Sequence, residues 1–187
     1  SYLFRAFQIA ESIGDTRGSA SNLNVIGTIY YRQLEYDKAL EYYQKALTIQ
    51  EKLSNKKQIA AHLNDIGNIY FVQKKYNEAF AKYQKSLSIY TEIKDKEGIA
   101  RQHNSIGEVH YKQQDYKQAL SFFEQSLAIK KEIGNKLGIS VTLNNIALIY
   151  QKQQDYPQSI TFAQKSFDLA MEIKAPAEAK NAMQTLY

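Results

Sequence analysis

Two kinds of residue in this sequence hold positions from which they could do chemistry: three histidines and a recurring asparagine. His103 and His110 stand seven residues apart, and His62 precedes them. A zinc-hydrolase helix needs histidines four apart with a glutamate beside them. The run His103-Asn104-Ser105-Ile106-Gly107-Glu108-Val109-His110 lacks that spacing. His103 and His110 also occupy places held by Leu and Tyr elsewhere in the chain, so all three histidines are expected to pack. The asparagines are Asn24, Asn64, Asn104 and Asn144, at a constant step of 40. A carboxamide offers one acceptor oxygen and two N–H donors, so it can pair with a polypeptide backbone whatever side chains that backbone carries. No glycine-rich loop for phosphate and no serine at a strand-to-helix elbow is present. Acidic residues such as Glu35, Asp115 and Asp155 are expected to fall in turns and cap helices. With no catalytic constellation, an enzyme is not expected, and neither a cofactor nor a metal site is expected.

The elements that must position these residues follow from the same step of 40. Leu23-Asn24-Val25-Ile26-Gly27, Leu63-Asn64-Asp65-Ile66-Gly67, His103-Asn104-Ser105-Ile106-Gly107 and Leu143-Asn144-Asn145-Ile146-Ala147 share one register. So do Gln33, Gln73, Gln113 and Gln153, then Tyr36, Tyr76, Tyr116 and Tyr156, then Ala39, Ala79, Ala119 and Ser159. Each unit reads as two helices. The first carries apolar residues at helical spacing, as in Leu23, Ile26 and Tyr30. A polar turn such as Gln113-Gln114-Asp115 follows, and Tyr116, Ala119, Leu120, Phe123 and Leu127 then form one face of a second helix. Stops are expected near Ile13-Gly14-Asp15, Leu53-Ser54-Asn55, Ile93-Lys94-Asp95 and Ile133-Gly134-Asn135, because Asn, Asp and Gly suit helix ends and N-caps. Gly27, Gly67, Gly107 and Ala147 are expected to lie opposite Ala39, Ala79, Ala119 and Ser159, where small residues let the two helices approach. The aromatics Tyr43, Tyr83 and Phe123 are expected to fill the gap to the next repeat. A unit of this kind cannot bury its faces alone, so the units must stack.

This pattern resembles the tetratricopeptide repeat over essentially the whole chain. The first full repeat matches that family's signature with Leu23, Ile26, Gly27, Tyr30, Ala39, Tyr43 and Ala46. The second matches with Leu63, Ile66, Gly67, Tyr70, Ala79, Tyr83 and Ser86. The third does so with His103, Ile106, Gly107, His110, Ala119, Phe123 and Ser126. The fourth is weaker, with Ala147, Ser159, Ala163 and Ser166. The ordinary unit has about 34 residues and closes its second helix with Pro. Here the unit is longer by six and that Pro is missing. From Gly27 to Ala46 the spacing is the ordinary one, so the added residues lie between Ala46 and Leu63 and should lengthen the helices meeting there. The long unit is similar to the repeats of kinesin light chains, of spindle-orientation adaptors and of bacterial signalling regulators.

The resemblance implies an all-α, right-handed superhelical solenoid of about ten helices in a single array over residues 1–187. Its parts would be 1–16 as the second helix of a truncated repeat, full repeats at 17–56, 57–96, 97–136 and 137–176, and 177–187 as a first helix cut short. Neither end shows a polar capping helix, so the native chain is expected to continue in both directions. The resemblance also implies that first helices line the concave side and that Asn24, Asn64, Asn104 and Asn144 point into its groove. They would either track an extended peptide or hold the stack in register. Near them on that face would lie Thr28, Asn68 and Glu108, then Tyr31, Phe71 and Tyr111, then Arg32, Lys112 and Lys152, with Arg101 and Asn145 close by. Such a mixed polar, aromatic and mildly basic surface suits a peptide with some acidic character. A lysine-based clamp for a C-terminal carboxylate is not supported, because asparagines hold the clamp's lysine places.

Composition limits the alternatives. Hydrophobic residues make up 44% and charged residues 23%, a folded balance, and only 8 Gly and 2 Pro favour long helices. There is no cysteine, hence no disulfide or thiol chemistry. No run approaches the ~20 apolar residues of a membrane span, so no membrane contact is expected for this segment. The net charge of +5 is spread along the chain, and the lysines alternate with Glu and Asp. A nucleic-acid surface would need a continuous basic stripe, and none is visible. The expected function is a protein–protein interaction scaffold binding an extended peptide. The alternative is a regulatory sensor segment of a larger bacterial signalling protein, such as a histidine kinase or transcription regulator. A cytoplasmic location is expected, with export and the oligomeric state left open.

Overall fold

A computed structural model describes residues 15–186. Residues 1–14 of the second helix expected over 1–16, and the terminal Tyr187, lie outside the described residues. Among the described residues there are nine helices and no strand. They are α1 (Thr16–Arg32), α2 (Tyr36–Lys52), α3 (Lys56–Val72), α4 (Tyr76–Glu92), α5 (Lys96–Lys112), α6 (Tyr116–Glu132), α7 (Lys136–Lys152), α8 (Tyr156–Glu172) and α9 (Pro176–Leu186). This is the all-α solenoid class expected. The residues added between Ala46 and Leu63 are helix up to Lys52, a three-residue turn, and helix again from Lys56. Pro176 opens α9. At the first position of a helix its missing N–H costs nothing.

Every helix from α1 to α8 has 17 residues, and every turn between helices has three. The turns share one hydrogen-bond pattern. After α1, the N–H of Glu35 donates to the carbonyl of Tyr30 at 2.9 Å and that of Leu34 to Tyr31 at 3.0 Å. This is a Schellman ending, and it needs its middle residue in the left-handed region. Leu34, Ser54, Lys74, Lys94, Gln114, Gln154 and Lys174 accept that conformation, at φ between 53° and 64°, and only Gly134 (φ 70°) is suited to it. The last turn residue is also the next N-cap. Asp15, Asn55, Asp95, Asp115, Asn135 and Asp155 each accept a backbone N–H three residues on. Glu35, expected to cap a helix, stands at the N-cap position of α2 but its side chain makes no such bond, and neither does that of Lys75.

The chain packs as two compact units, residues 1–94 and 95–187. In the first, Ala39, Tyr43, Ile66 and Ile69 form the core. Ser86 Oγ donates to the carbonyl of Ala60 at 2.7 Å and ties α4 to α3. In the second, the core is Ala119, Phe123, Leu127, Leu143, Ile146 and Ile149, and Ser126 makes the matching bond to Ala100. The rings of Tyr43 and Phe123 thus join the next repeat's first helix, as expected.

The same rings also explain the glycines. A Cβ placed on Gly27 would lie 2.8 Å from the Tyr43 ring, one on Gly67 2.6 Å from Tyr83, and one on Gly107 2.7 Å from Phe123. Glycine is there because an aromatic side chain lies on it. In the fourth repeat the ring becomes Ala163 and the glycine becomes Ala147, both fully buried. There Ser159 Oγ donates to the Ala147 carbonyl at 3.0 Å, which confirms the close approach of that helix pair.

Exposed ion pairs recur at the helix junctions: Lys56 with Glu92, Lys96 with Glu132, and Lys136 with Glu172. More than half of each side chain is in solvent, so each pair contributes no more than about 1 kcal/mol.

Candidate functional site

In the first unit a cleft of about 280 Å³ is lined by Thr28, Tyr31, Arg32, Tyr43, Asp65 and Asn68. Thr28, Tyr31, Arg32 and Asn68 had been singled out from the repeat alone. The 3.6-residue period brings Thr28, Tyr31 and Arg32 to one side of α1, and Asp65 and Asn68 face them from α3. The floor is polar because of the core. The Tyr43 hydroxyl lies 3.1 Å from Thr28 Oγ1, and the Tyr83 hydroxyl donates to Asn68 Oδ1 at 2.8 Å. Burial pushes the Tyr31 and Tyr43 hydroxyls above their ordinary range, so both stay neutral donors. Arg32 is exposed in the last turn of α1. Tyr31 stands edge-on to Tyr36 at 5.7 Å, and Phe71 to Tyr76 at 5.7 Å. These aromatics therefore pack across their own helix turn and offer only part of their surface.

The second unit has its own cleft, of about 250 Å³, and Arg101 and Asn104 lie in its lining together with Lys130. Asn104 is held on several sides. Its Nδ2 donates to Glu108 at 2.7 Å, and its Oδ1 accepts from Thr142 at 3.3 Å and from Asn145 at 3.4 Å. Lys130 Nζ donates to Thr142 Oγ1 at 2.7 Å. Burial raises the Glu108 carboxyl above its ordinary value, while the Asn104 hydrogen bond and the Lys130 charge oppose that rise. Burial likewise brings the Lys130 ammonium down to about 8, against the pull of Glu108 and with help from Arg101. Tyr111 packs on Tyr116 at 6.0 Å, and Lys112 Nζ sits 5.7 Å from the Tyr111 ring centroid. Lys152 is exposed at the end of α7.

The four asparagines thus have four different surroundings. Asn24 is half-buried, and its Oδ1 has no hydrogen-bond partner among the described residues. Asn64 is buried and donates to Asp65 at 3.3 Å. Asn104 is the centre of the network above. Asn144 accepts from Thr185 at 3.0 Å. In the second unit two of them therefore bond residues of the following repeat.

The histidines pack. His110 and His103 lie against Phe122, with centroids at 5.4 and 5.8 Å. His62 is 2% exposed, and burial pulls its imidazole down to about 4. Among the described residues no three His, Asp or Glu side chains gather as a metal-binding group. No described helix is long and apolar enough to cross a membrane. Sequence reasoning missed Lys130, Asp65, Thr142 and Ser105. For Lys130 a signal existed, because its place in the other repeats holds Gln50, Tyr90 and Ala170.

Paired helices on a step of 40, with small residues under aromatic rings and polar clefts on the first-helix face, define a tandem helix-hairpin repeat protein. The chain belongs to the tetratricopeptide repeat family: that family's models match residues 1–52 and 58–132, and again 140–170. No curated protein matches the sequence. Among solved structures it is similar to BtubC (BKLC) from P. vanneervenii, at TM-score 0.75 and 19% identity, covering 90% of this chain and 74% of that one. It is similar to the apo form of RapI at TM-score 0.80 and 17% identity, covering 100% of this chain and 53% of RapI. It is also similar to a Signal Transduction ATPase with Numerous Domains from Pyrococcus horikoshii that carries a tetratricopeptide repeat sensor. There the TM-score is 0.84 and the identity 19%, over 96% of this chain and 28% of that protein. The chain thus spans about half of RapI and under a third of the ATPase. At these identities the likeness is one of fold.

Proposed function

We propose that this chain is a protein–protein interaction segment that holds an extended peptide, or an extended part of a partner protein, against its first helices. The observation that carries this reading is the cleft of the first unit. There a half-buried aromatic (Tyr31), an exposed guanidinium (Arg32), a carboxylate (Asp65) and an amide (Asn68) converge on one opening. Such a set can grip a backbone and a side chain together, and it lacks a nucleophile paired with a base. A preformed cleft on packed helices leaves the ordering cost to the ligand. Asn24 Oδ1 is buried, outside the cleft lining, so it does not carry this reading. The bonds of Asn104 and Asn144 favour a role in holding repeats together. A cytoplasmic placement goes with this reading.

A second reading is favoured by the similarity to a tetratricopeptide sensor and to RapI. In it the same cleft belongs to a regulatory segment of a larger bacterial signalling protein, and occupancy biases an output elsewhere.

The test is capture on an array of short random peptides. Tyr31→Ala combined with Arg32→Ala should lower capture at least about tenfold, or roughly 1.4 kcal/mol, without shifting the thermal midpoint. Unchanged capture by that variant would sink the assignment of the cleft.

A further inference from the structure

Lys130, in the last turn of α6, is the one lysine or arginine among the described residues that is buried, at 7% exposed. Burial penalises an ammonium far more than an amine, so it favours the uncharged form, which is the nucleophile. From α7, Thr142 Oγ1 accepts one N–H of Lys130 at 2.7 Å and fixes the nitrogen in place. Gly138 leaves room for the side chain, because a Cβ there would stand 2.9 Å from Lys130 Cδ. Two charged groups of α5 act on the nitrogen in opposite directions. The Arg101 guanidinium drives a proton off it, and the Glu108 carboxyl holds one on it. Burial is the largest influence and brings the ammonium down to about 8. At pH 7.5 such a lysine is about one-quarter uncharged, against about 0.1% for an ordinary one. Burial raises the Glu108 carboxyl, while the Asn104 hydrogen bond and the charges of Lys130 and Lys112 oppose the rise. Lys130 and Glu108 therefore share a proton.

Lys130 also lines the 250 Å³ cleft of the second unit. Ala100, Leu137 and Val141 give that cleft an apolar wall, and Glu97 and Arg101 stand in its lining with opposite charges, 3.8 Å apart. The opposed charges select neither an anion nor a cation, and the size suits a small molecule. A buried amine beside a second cation, a carboxyl and a cleft is the setting in which a lysine adds to a carbonyl.

We propose that Lys130 captures a small uncharged aldehyde in this cleft as an imine. The amine nitrogen adds to the carbonyl carbon, and one of its protons passes to the carbonyl oxygen, giving a carbinolamine. Glu108 then protonates that hydroxyl, which leaves as water while the nitrogen lone pair forms the C=N bond. The products are a protonated imine, the Glu108 carboxylate and water, so the net charge of the site does not change. The inference does not rest on the peptide reading, whose cleft lies in the first unit.

The whole chain is incubated with butanal and sodium cyanoborohydride, which reduces an imine to a stable secondary amine, and peptide mass spectrometry follows each lysine over time. At pH 7.5 Lys130 should be alkylated at least about tenfold faster than the exposed Lys117, Lys131 and Lys174. Its rate should stop rising by about pH 9, while theirs climbs toward about pH 10.4. A lysine with a purely structural role is shielded and reacts last. That outcome, a rate no faster than the exposed lysines, or a rate that climbs with theirs overturns the proposal. Glu108→Gln raises the uncharged fraction of Lys130 by no more than about fourfold, whereas loss of a positioned acid costs about 100-fold or more. The variant should therefore slow Lys130 at least about tenfold at pH 7.5 and leave the exposed lysines unchanged. An unslowed variant overturns the step as written. Circular dichroism reports whether Glu108→Gln folds; if it does not, the wild-type rates and their pH profile decide alone.

Discussion

Gly67→Ala offers a test of the packing rule, because its sign should depend on a second residue. In isolation the change favours a helix by about 1 kcal/mol. Here the new Cβ would lie 2.6 Å from Tyr83 Cε1, 2.8 Å from Cδ1 and 3.2 Å from Cζ. The ring cannot swing aside easily, since Tyr83 is 2% exposed and its hydroxyl is bonded to Asn68. Overpacking of this kind costs about 1–3 kcal/mol, so the net effect is a loss of about 1 kcal/mol. In a Tyr83→Ala background, itself costing about 3–5 kcal/mol, the clash is gone and the same change should gain about 1 kcal/mol. The coupling between the two sites is then about 2 kcal/mol. Urea unfolding of the four proteins, followed by far-ultraviolet circular dichroism, measures it. The fourth repeat supplies a control, since Ala147→Gly has no ring to relieve and should lose about 1 kcal/mol. If Gly67→Ala stabilises both backgrounds equally, the ring is not what demands glycine, and the reasoning fails.

Three further outcomes are expected. Gly134→Ala should cost about 1 kcal/mol, because its φ is 70° with open space around it, whereas Gln114→Gly (φ 64°) should gain a similar amount in the same melts. Acid should destabilise the fold between pH 6.5 and 4: His62 is held near 4 when folded, so the unfolded chain binds the extra proton in that window, and stability falls as pH falls by at most about 3 kcal/mol. His62→Leu should flatten that part of the pH profile, with the contribution of His103, also lowered by burial, left in place. Asn104→Ala should cost about 1–3 kcal/mol in thermal or urea unfolding, because it strands partners on Glu108, Thr142 and Asn145.

Much of this was legible because every repeat solves the same packing problem. Leu23, Ile26 and Gly27 recur as Leu63, Ile66 and Gly67, so period and helix faces could be read directly. What the pattern could not supply was the direction of a side chain. Spacing put Tyr43 and Gly27 in facing helices without saying that one lies on the other. The joint change to Ala147 and Ala163 carried that information, since ring and glycine disappear together. Likewise, a lysine near a helix end reads as solvated, and Lys130 betrays itself only beside Gln50, Tyr90 and Ala170. Identity misled in the opposite way at Asn24, Asn64, Asn104 and Asn144. One residue type suggested one role, yet their partners depend on what neighbouring positions hold, such as Glu108 where other repeats have Thr28 or Asn68.

The equal helices and equal turns have a kinetic consequence. Side chains repeat every 40 residues, but the backbone, with 17-residue helices and three-residue turns, repeats every 20. Hydrogen bonding alone cannot distinguish a first helix from a second. A collapsing chain can therefore pair helices one element out of step at no backbone penalty, a trap open to arrays of similar modules. Only the unequal side chains oppose that slip, chiefly a glycine that admits a ring from one particular neighbour. Proofreading of register during folding thus falls to Gly27, Gly67 and Gly107. Substitutions there should slow correct assembly and multiply misaligned intermediates even where final stability survives.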